Sequence, residues 1–142
     1  MKATLLITSS LLFSALGFSQ QWKQNLKESL REAARQDKKV LLYFSIAEAC
    51  DACKSLEKNV WDTPEFKTFA RENYILVKAD FSEAVDIEDR AENLLIVEKY
   101  NKDGFFPLVV IMDSNAKVLG KTGIYKNEEP TAYIESLKSI SR

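Results

Sequence analysis

The chain has 142 residues, with 20 Lys and Arg against 21 Asp and Glu, two cysteines and no histidine. Its 46% hydrophobic and 29% charged residues are typical of a globular chain, and its length suits one domain. A net charge of −1 gives no electrostatic reason to expect nucleic acid or an anionic membrane as a partner. Without histidine, Ser-His and Cys-His catalytic pairs and HExxH zinc sites are excluded, and two cysteines are too few for a structural zinc site.

The first residues have the pattern of a secretory signal peptide. Met1-Lys2 precedes an almost wholly apolar stretch from Leu5 to Phe18, and small residues near its end suit a cleavage site. A membrane anchor is the alternative, but the stretch is shorter than the roughly 20 residues that a spanning helix needs. We therefore expect residues 1–19 to be removed and residues 20–142 to form one domain. The mature protein is expected to be exported to the periplasm or a similar extracytoplasmic compartment, where disulfides persist.

Helical and strand patterns alternate along the rest of the chain without a linker. Apolar residues at helical spacing among charges predict helices, and short continuous apolar runs predict buried strands. In chain order, the predicted elements are a helix at 24–37, a strand at 40–45, a helix from about 50, a helix after 62–64, a strand at 74–81, a helix at 90–101, strands at 107–112 and 117–120, and a helix at 130–140.

Three connections between these elements carry specific expectations. Thr63 or Asp62 can cap the helix that has Pro64 in its first turn. The acidic stretch 82–92 is expected to be a loop that runs into the next helix, and 113–116 a hairpin turn. Strands separated by helices predict a parallel core with right-handed crossovers, to which the closing hairpin adds an antiparallel edge. The predicted fold class is α/β, with a central mixed sheet of about four strands flanked by helices.

Both cysteines lie in one motif, Cys50-Asp51-Ala52-Cys53, after the first predicted strand and at the start of a helix. Free backbone N–H groups and the positive end of the helix dipole stabilise a thiolate at Cys50 in that place. Cys53 lies one turn further along the same helix face, within reach of a disulfide. A thiolate backed by a second thiol can attack a disulfide, form a mixed disulfide and be released by its partner. The spacing therefore favours redox exchange.

A structural disulfide is the alternative interpretation of this motif. In the chain-entropy picture a four-residue loop contributes only about 2 kcal/mol, against roughly 3 kcal/mol for fifteen residues. We therefore expect a redox-active Cys50–Cys53 disulfide, no other cofactor and no metal. A redox-inactive binding module, with its acidic stretch 82–92 contacting a partner, stays open. A thiol peroxidase is less favoured, since no Thr or Arg constellation for peroxide activation accompanies Cys50.

Pro107 opens the third predicted strand after two adjacent aromatic residues, Phe105 and Phe106. Proline is tolerated at the first residue of a strand because no ladder hydrogen bond need be lost there. A cis bond between Phe106 and Pro107 would bring the backbone next to the disulfide and offer a partner polypeptide a strand edge. A trans bond is the alternative, since only about 5–6% of X–Pro bonds are cis. The combination with the CxxC motif favours the cis bond.

These segments resemble the thioredoxin superfamily: CDAC after a strand, LEKNVWDTPEF downstream, a middle strand, and GFFPLVVIMDSNAKVLGKTGIY near the end. The chain is most similar to exported thioredoxin-like proteins, including the C-terminal periplasmic domain of DsbD-type disulfide reductases, over roughly 38–140. The resemblance implies a thioredoxin-like fold, Cys50 as attacking thiol, Cys53 as resolving thiol, and Pro107 as a cis-proline that shapes the substrate groove with Phe106. It also implies protein or small-molecule disulfide and dithiol substrates and a membrane reductase as a source of electrons. We expect a monomer that binds no nucleic acid.

Several positions depart from the family's usual pattern. Ala49 stands where a Trp usually precedes the first cysteine. Tyr43 and Phe44 fill the strand that often carries a buried acid, the proton acceptor for the resolving thiol. Glu48 is the nearest upstream carboxylate, and it either substitutes for that acid or is a solvated loop residue. Phe106 is bulkier than the usual Thr or Val before the proline, which predicts an altered groove unless the aromatic pair is plain core.

Asp51 lies between the cysteines, where strong oxidants of this fold often have a histidine that stabilises the thiolate. A neighbouring carboxylate disfavours the thiolate of Cys50 and with it the reduced form of the pair, which favours a reductant. Asp51 can instead simply cap the helix. The sequence thus predicts an exported thiol-disulfide oxidoreductase that acts as a reductant, with Glu48 and Asp51 modulating the pair.

Overall fold

A computed structural model describes residues 21–46, 49–81 and 85–142. The predicted signal peptide and Glu48 lie outside these residues. In chain order, the elements are α1 (Leu26–Gln36), β1 (Lys39–Ser45), α2 (Asp51–Leu56), a π-helical turn (Glu57–Trp61), α3 (Pro64–Asn73), β2 (Tyr74–Asp80), α4 (Ile87–Tyr100), β3 (Leu108–Met112), β4 (Val118–Lys121) and α5 (Pro130–Ile140). Over the described ranges, no helix combines the length and apolarity needed to cross a bilayer.

A four-stranded mixed sheet in the order β2-β1-β3-β4 is the centre of the fold. β1 pairs in parallel with β2, with Val40 opposite Ile75, and antiparallel with β3, with Phe44 opposite Leu108. The mixed sheet of about four strands is confirmed, as is the antiparallel hairpin of β3 and β4. The expected parallel core is wrong beyond β1 and β2. β3 enters the sheet beside the carboxyl end of β1, and a helix between two strands does not by itself fix the direction of the second.

Helices cover both faces of the sheet. Alternate side chains of a strand point to opposite faces, and β1 divides its residues between two packed clusters. One cluster, which we call the aromatic face, packs against α3, α5 and the π-helical turn and includes Leu41, Tyr43, Trp61, Phe66, Tyr74, Tyr133 and Leu137. The other, which we call the aliphatic face, packs against α1 and α4 and includes Leu26, Val40, Leu42, Phe44, Ile75, Val77, Val110 and Met112. The buried run predicted at 40–45 therefore serves two cores.

Between α2 and α3, where the sequence predicts a break, the chain forms a π-helical turn, and α3 then begins at its own N-cap. In the turn, the N–H of Asp62 donates to the carbonyl of Glu57 at 2.9 Å. Thr63 is the N-cap of α3, since its Oγ1 accepts the N–H of Phe66 at 3.3 Å, and Pro64 is the first helical residue. Short π-helical turns inside helices are rare, and those that do occur often lie at functional sites.

α4 differs from its prediction in its start and in its exposed face. It begins at Ile87, inside the stretch expected to be a loop, because Glu88 and Asp89 in its first turn complement the positive end of the helix dipole. Leu94 and Leu95 are 59% and 67% exposed, although they belong to the apolar pattern that predicted the helix. The acidic charges therefore belong to a helix rather than to a loop over these residues.

Candidate active site

Cys50 and Cys53 form a disulfide at the start of α2, with an S–S distance of 2.03 Å and a Cα–Cα distance of 5.2 Å. Cys50 is the N-cap of the helix, and its Sγ accepts a hydrogen bond from the N–H of Cys53 at 3.0 Å. Cys53 is completely buried, whereas Cys50 is 7% exposed. Cys50 is therefore the more accessible residue of the pair, and a backbone donor of the helix start points at its sulfur.

Asp51 is the first residue of α2 and its side chain is fully exposed. Its carboxylate lies 4.0 Å from the ammonium of Lys54, one turn along the helix. Because the sulfur of Cys50 caps the helix, Asp51 does not have the capping role that was the alternative explanation for it. Water screens an exposed carboxylate, so its influence on a neighbouring thiolate is weaker than that of a buried charge.

The peptide bond between Phe106 and Pro107 is cis. Leu108, the next residue, lies opposite Phe44 near the carboxyl end of β1, and the CxxC motif follows that same end. The register thus brings the proline and the disulfide to one end of the sheet. Phe106 is half-buried against the aliphatic face and forms a T-shaped pair with Phe81, with 6.4 Å between the ring centroids.

A polar network that the sequence analysis missed lies beside the buried cysteine. The hydroxyl of Tyr43 is 3.4 Å from the carbonyl oxygen of Cys53 and 3.3 Å from Oε1 of Glu57, and it can donate to either. The ammonium of Lys78 donates to the same Glu57 oxygen at 2.9 Å and lies 3.7 Å from the carboxylate of Asp80. The network therefore joins a lysine-bound carboxylate to the backbone of Cys53.

Tyr43 is the neutral member of this network. Desolvation by burial raises the pKa of its hydroxyl well above the ordinary value, and the negative charge of Glu57 raises it further. The hydroxyl therefore keeps its proton at physiological pH. It acts as a hydrogen-bond donor between Cys53 and Glu57 and not as an acid.

The sequence contains a signal for the position of Glu57 in this network but none for that of Lys78. Glu57 follows Cys53 by four residues, and residues at that spacing share one face of a helix. Lys78 comes from β2, and only the pairing of β1 with β2 places it opposite Tyr43. Glu48, the carboxylate that the sequence analysis considered, lies outside the described residues. Among the residues that are described, no group of three or more His, Cys, Asp and Glu could hold a metal ion.

Comparison with known proteins places this site in a family. The family model described as Thioredoxin-like matches residues 21–114. The disulfide bond reductase DsbH of Chlamydia pneumoniae is 27% identical over 121 residues, which cover 84% of this chain and 71% of that protein.

Solved structures share the fold. One described as DsbH Oxidoreductase superposes with a TM-score of 0.77 at 24% identity and covers 97% of this chain and 94% of its own. The oxidised C-terminal domain of Neisseria meningitidis DsbD has a TM-score of 0.57 at 20% identity, covering 84% of this chain and 98% of its own. The resemblance to the thioredoxin superfamily is confirmed. The chain therefore belongs to the thioredoxin-like family, and its Cys50–Cys53 pair places it among the thiol-disulfide oxidoreductases of that family.

Proposed function

We propose that the protein is an exported reductant that exchanges disulfides through Cys50 and Cys53. The thiolate of Cys50 attacks one sulfur of a substrate disulfide, whose S–S bond breaks, and the second substrate sulfur leaves as a thiolate. The thiolate of Cys53 then attacks Sγ of Cys50 in the mixed disulfide, and the first substrate sulfur leaves. The substrate gains two electrons and two protons, and the pair ends as the Cys50–Cys53 disulfide.

The observation that carries this proposal is the position of the Cys50 sulfur. It caps the helix and accepts the N–H of Cys53 at 3.0 Å, and Cys50 is 7% exposed whereas Cys53 is completely buried. Backbone donors and the helix dipole favour a thiolate over a thiol at this place. Cys50 is therefore the attacking group and Cys53, which is completely buried, the resolving group.

Cys53 needs a proton acceptor, because burial favours its thiol over its thiolate. We assign this role to Glu57, which lies one helical turn beyond Cys53 and is held by Lys78 at 2.9 Å. The neutral hydroxyl of Tyr43 orients the carboxylate from the strand side. Glu57 takes the place of the buried acid that the family often carries in β1, and Glu48 is the competing candidate.

Substrates are disulfides in proteins or small molecules, which bind along the cis-proline. Pro107 and Phe106 line an apolar pocket at the same end of the sheet as the disulfide. A partner polypeptide that lies there presents its disulfide to Cys50. The pair is then re-reduced by a dithiol donor, for which a membrane reductase is the candidate that the resemblance implies.

The reducing direction rests on two observations. The relative from Chlamydia pneumoniae is named a disulfide bond reductase. Asp51 supplies no positive charge or donor to the Cys50 thiolate, unlike the histidine of strong oxidants of this fold. Export rests on the apolar stretch from Leu5 to Phe18 behind Lys2. The mass of the mature protein from the exported fraction tests this part, since we expect a chain that begins near residue 20.

Reduction of insulin by dithiothreitol tests the catalytic proposal. We expect the wild type to accelerate it and Cys50→Ser to react no faster than dithiothreitol alone, because the attacking thiolate is gone. Cys53→Ser is the matched control, since it keeps the attacking thiol and is expected to accumulate a mixed disulfide. A wild type that is no faster than Cys50→Ser would leave the disulfide a structural one in a binding module.

A further inference from the structure

A buried amide closes the segment that leads to the cis-proline. Asn101, the C-cap of α4, is only 2% exposed. Its Nδ2 donates to the carbonyl of Phe105 at 2.8 Å, and its Oδ1 accepts the N–H of Phe105 at 3.1 Å. Both polar ends of one side chain are therefore used on the backbone of one residue, two positions before Pro107.

The backbone between these residues is a tight turn. The N–H of Gly104 donates to the carbonyl of Asn101 at 3.0 Å, and Gly104 has a φ of 68°, in the left-handed region that favours glycine. The side-chain amide of Asn101 therefore pairs with both backbone polar groups of Phe105. It holds the backbone at Phe105 and with it the direction of the Cα–Cβ bond that carries the ring.

Phe105 has little other support. Its side chain is 56% exposed, whereas Phe106 beside it is half-buried against the aliphatic face. Phe105 lines an apolar pocket of about 440 Å³ together with Phe106 and Pro107, and residues 122–124 also line it. Ile124, one of these residues, is 69% exposed. Two exposed apolar side chains thus face a pocket that begins at the cis-proline.

We propose that Asn101 is a positioning residue that holds Phe105 as the outer wall of this pocket, for polypeptide substrates with a bulky apolar side chain beside their disulfide. The inference rests on the proposed function and deepens it. A wall that is ordered before the substrate arrives avoids the free-energy cost of ordering it on binding. Without the two hydrogen bonds from Asn101, the N–H and the carbonyl of Phe105 bond to water instead. Phe105 must then be ordered each time a substrate binds.

Two synthetic peptides test this role. Each is a dimer of two identical peptide chains, joined by a disulfide between the single cysteine of each chain. The two dimers differ only in the residue next to that cysteine, which is leucine in one and glycine in the other. We expect the wild type to reduce the leucine peptide with a lower KM than the glycine peptide. Asn101→Ser should raise the KM for the leucine peptide about fivefold with little change in kcat, which corresponds to about 1 kcal/mol of binding. The preference for leucine is then largely lost.

A double-mutant cycle keeps the inference testable if Asn101→Ser is unstable. Phe105→Ala alters an exposed side chain, and it should raise the KM for the leucine peptide to the same degree. If Asn101 acts through Phe105, the double variant is no worse than either single one. Additive effects on KM would overturn the inference, as would an unchanged leucine preference in Asn101→Ser.

Tyr74→Phe is the control for a merely structural loss. Tyr74 pairs with Lys39 at the opposite end of the sheet, and its hydroxyl hydrogen bonds to Ser141. This variant should lower the thermal midpoint while it leaves the leucine preference intact. A wild type that reduces neither peptide would contradict the proposed function itself, whereas one that reduces both without preference would contradict only the role of Asn101.

Discussion

The side chains on the two faces of β1 differ in chemistry, although residues 40–44 are all completely buried. Tyr43 points into the aromatic face, where its hydroxyl reaches the backbone of Cys53 and the carboxylate of Glu57. Phe44, the next residue, points into the aliphatic face among largely apolar side chains. One strand thus carries the chemistry on one side and packing on the other, since its side chains alternate.

The stability of the polar network on the aromatic face depends on how completely its groups are hydrogen bonded. An unpaired polar group in a buried place costs free energy, and a satisfied network is stronger than its separate bonds. Glu57 meets this demand with two partners, Lys78 and Tyr43, and its side chain stays one-third exposed. The aliphatic face consists mainly of apolar side chains, for which this demand is small. Substitutions on the two faces should therefore separate stability from catalysis.

The largest effect is expected on the aliphatic face. Leu42→Ala removes a completely buried side chain and should lower the free energy of unfolding by about 2–5 kcal/mol. The kcat/KM of the folded protein should stay close to the wild-type value, because the side chain of Leu42 packs on the aliphatic face and the polar network lies on the other. Denaturant unfolding of the oxidised protein measures the first and insulin reduction the second. Leu95→Ala, at a residue that is 67% exposed, is the control and should cost far less.

On the aromatic face, Glu57→Gln should slow the second step of exchange about tenfold, because the carboxylate that accepts the proton of Cys53 is gone. Acid quenching of the mixed disulfide at successive times measures that step. Glu48→Gln is the matched control for the competing carboxylate, and it should slow the step less. If Glu48→Gln slows it and Glu57→Gln does not, the acceptor lies upstream of the cysteines and the network has a structural role.

Tyr43→Phe should slow the same step about threefold, since it removes one hydrogen bond to Glu57 and leaves the carboxylate in place. Burial raises the pKa of Tyr43, so the hydroxyl is neutral in the working range and the pH–rate profile between about pH 6 and 9 should keep its shape. Because the folded pKa is above the unfolded one, this tyrosine stabilises the fold below about pH 10 and loses that contribution above it. If the pH–rate profile of the wild type shows an ionisation that is absent from Tyr43→Phe, the assignment of Tyr43 as a neutral group is contradicted.

The smallest effect is expected at Asp51, on the exposed end of α2. Asp51→Asn removes a negative charge next to the Cys50 thiolate, so it should stabilise the reduced form and raise the reduction potential. Because the side chain is fully exposed, the rise should stay below about 30 mV, the equivalent of 1.4 kcal/mol. Equilibration of both proteins with glutathione measures the difference. A fall in the potential would show that Asp51 acts on the pair in another way.

Local signals were enough to predict much of the fold. The predicted helix at 130–140 matches α5, and Thr63 with Pro64 starts α3 as its capping pattern indicates. The place of the cysteines after β1 also follows from local sequence. Capping and periodicity act within a few residues, so one sequence is sufficient to detect them.

The features that the sequence could not give depend on contacts between distant segments. The direction of β3 is set by where its chain enters the sheet, which no local pattern encodes. Lys78 reaches Glu57 only because β1 and β2 pair in register. Asn101 has no distinguishing pattern, since its role depends on the turn through Gly104 back to Phe105. The sequence therefore predicted the cysteine pair and the cis bond before Pro107, whereas the polar groups beside Cys53 were missed.

The reduction potential of the Cys50–Cys53 pair tests directly whether this pair works as a reductant. The protein is equilibrated with defined thiol-disulfide buffers, and the fraction of free thiol is then trapped and counted. For a reductant we expect a potential close to that of thioredoxin, about −270 mV. A potential near that of DsbA, about −120 mV, would contradict it.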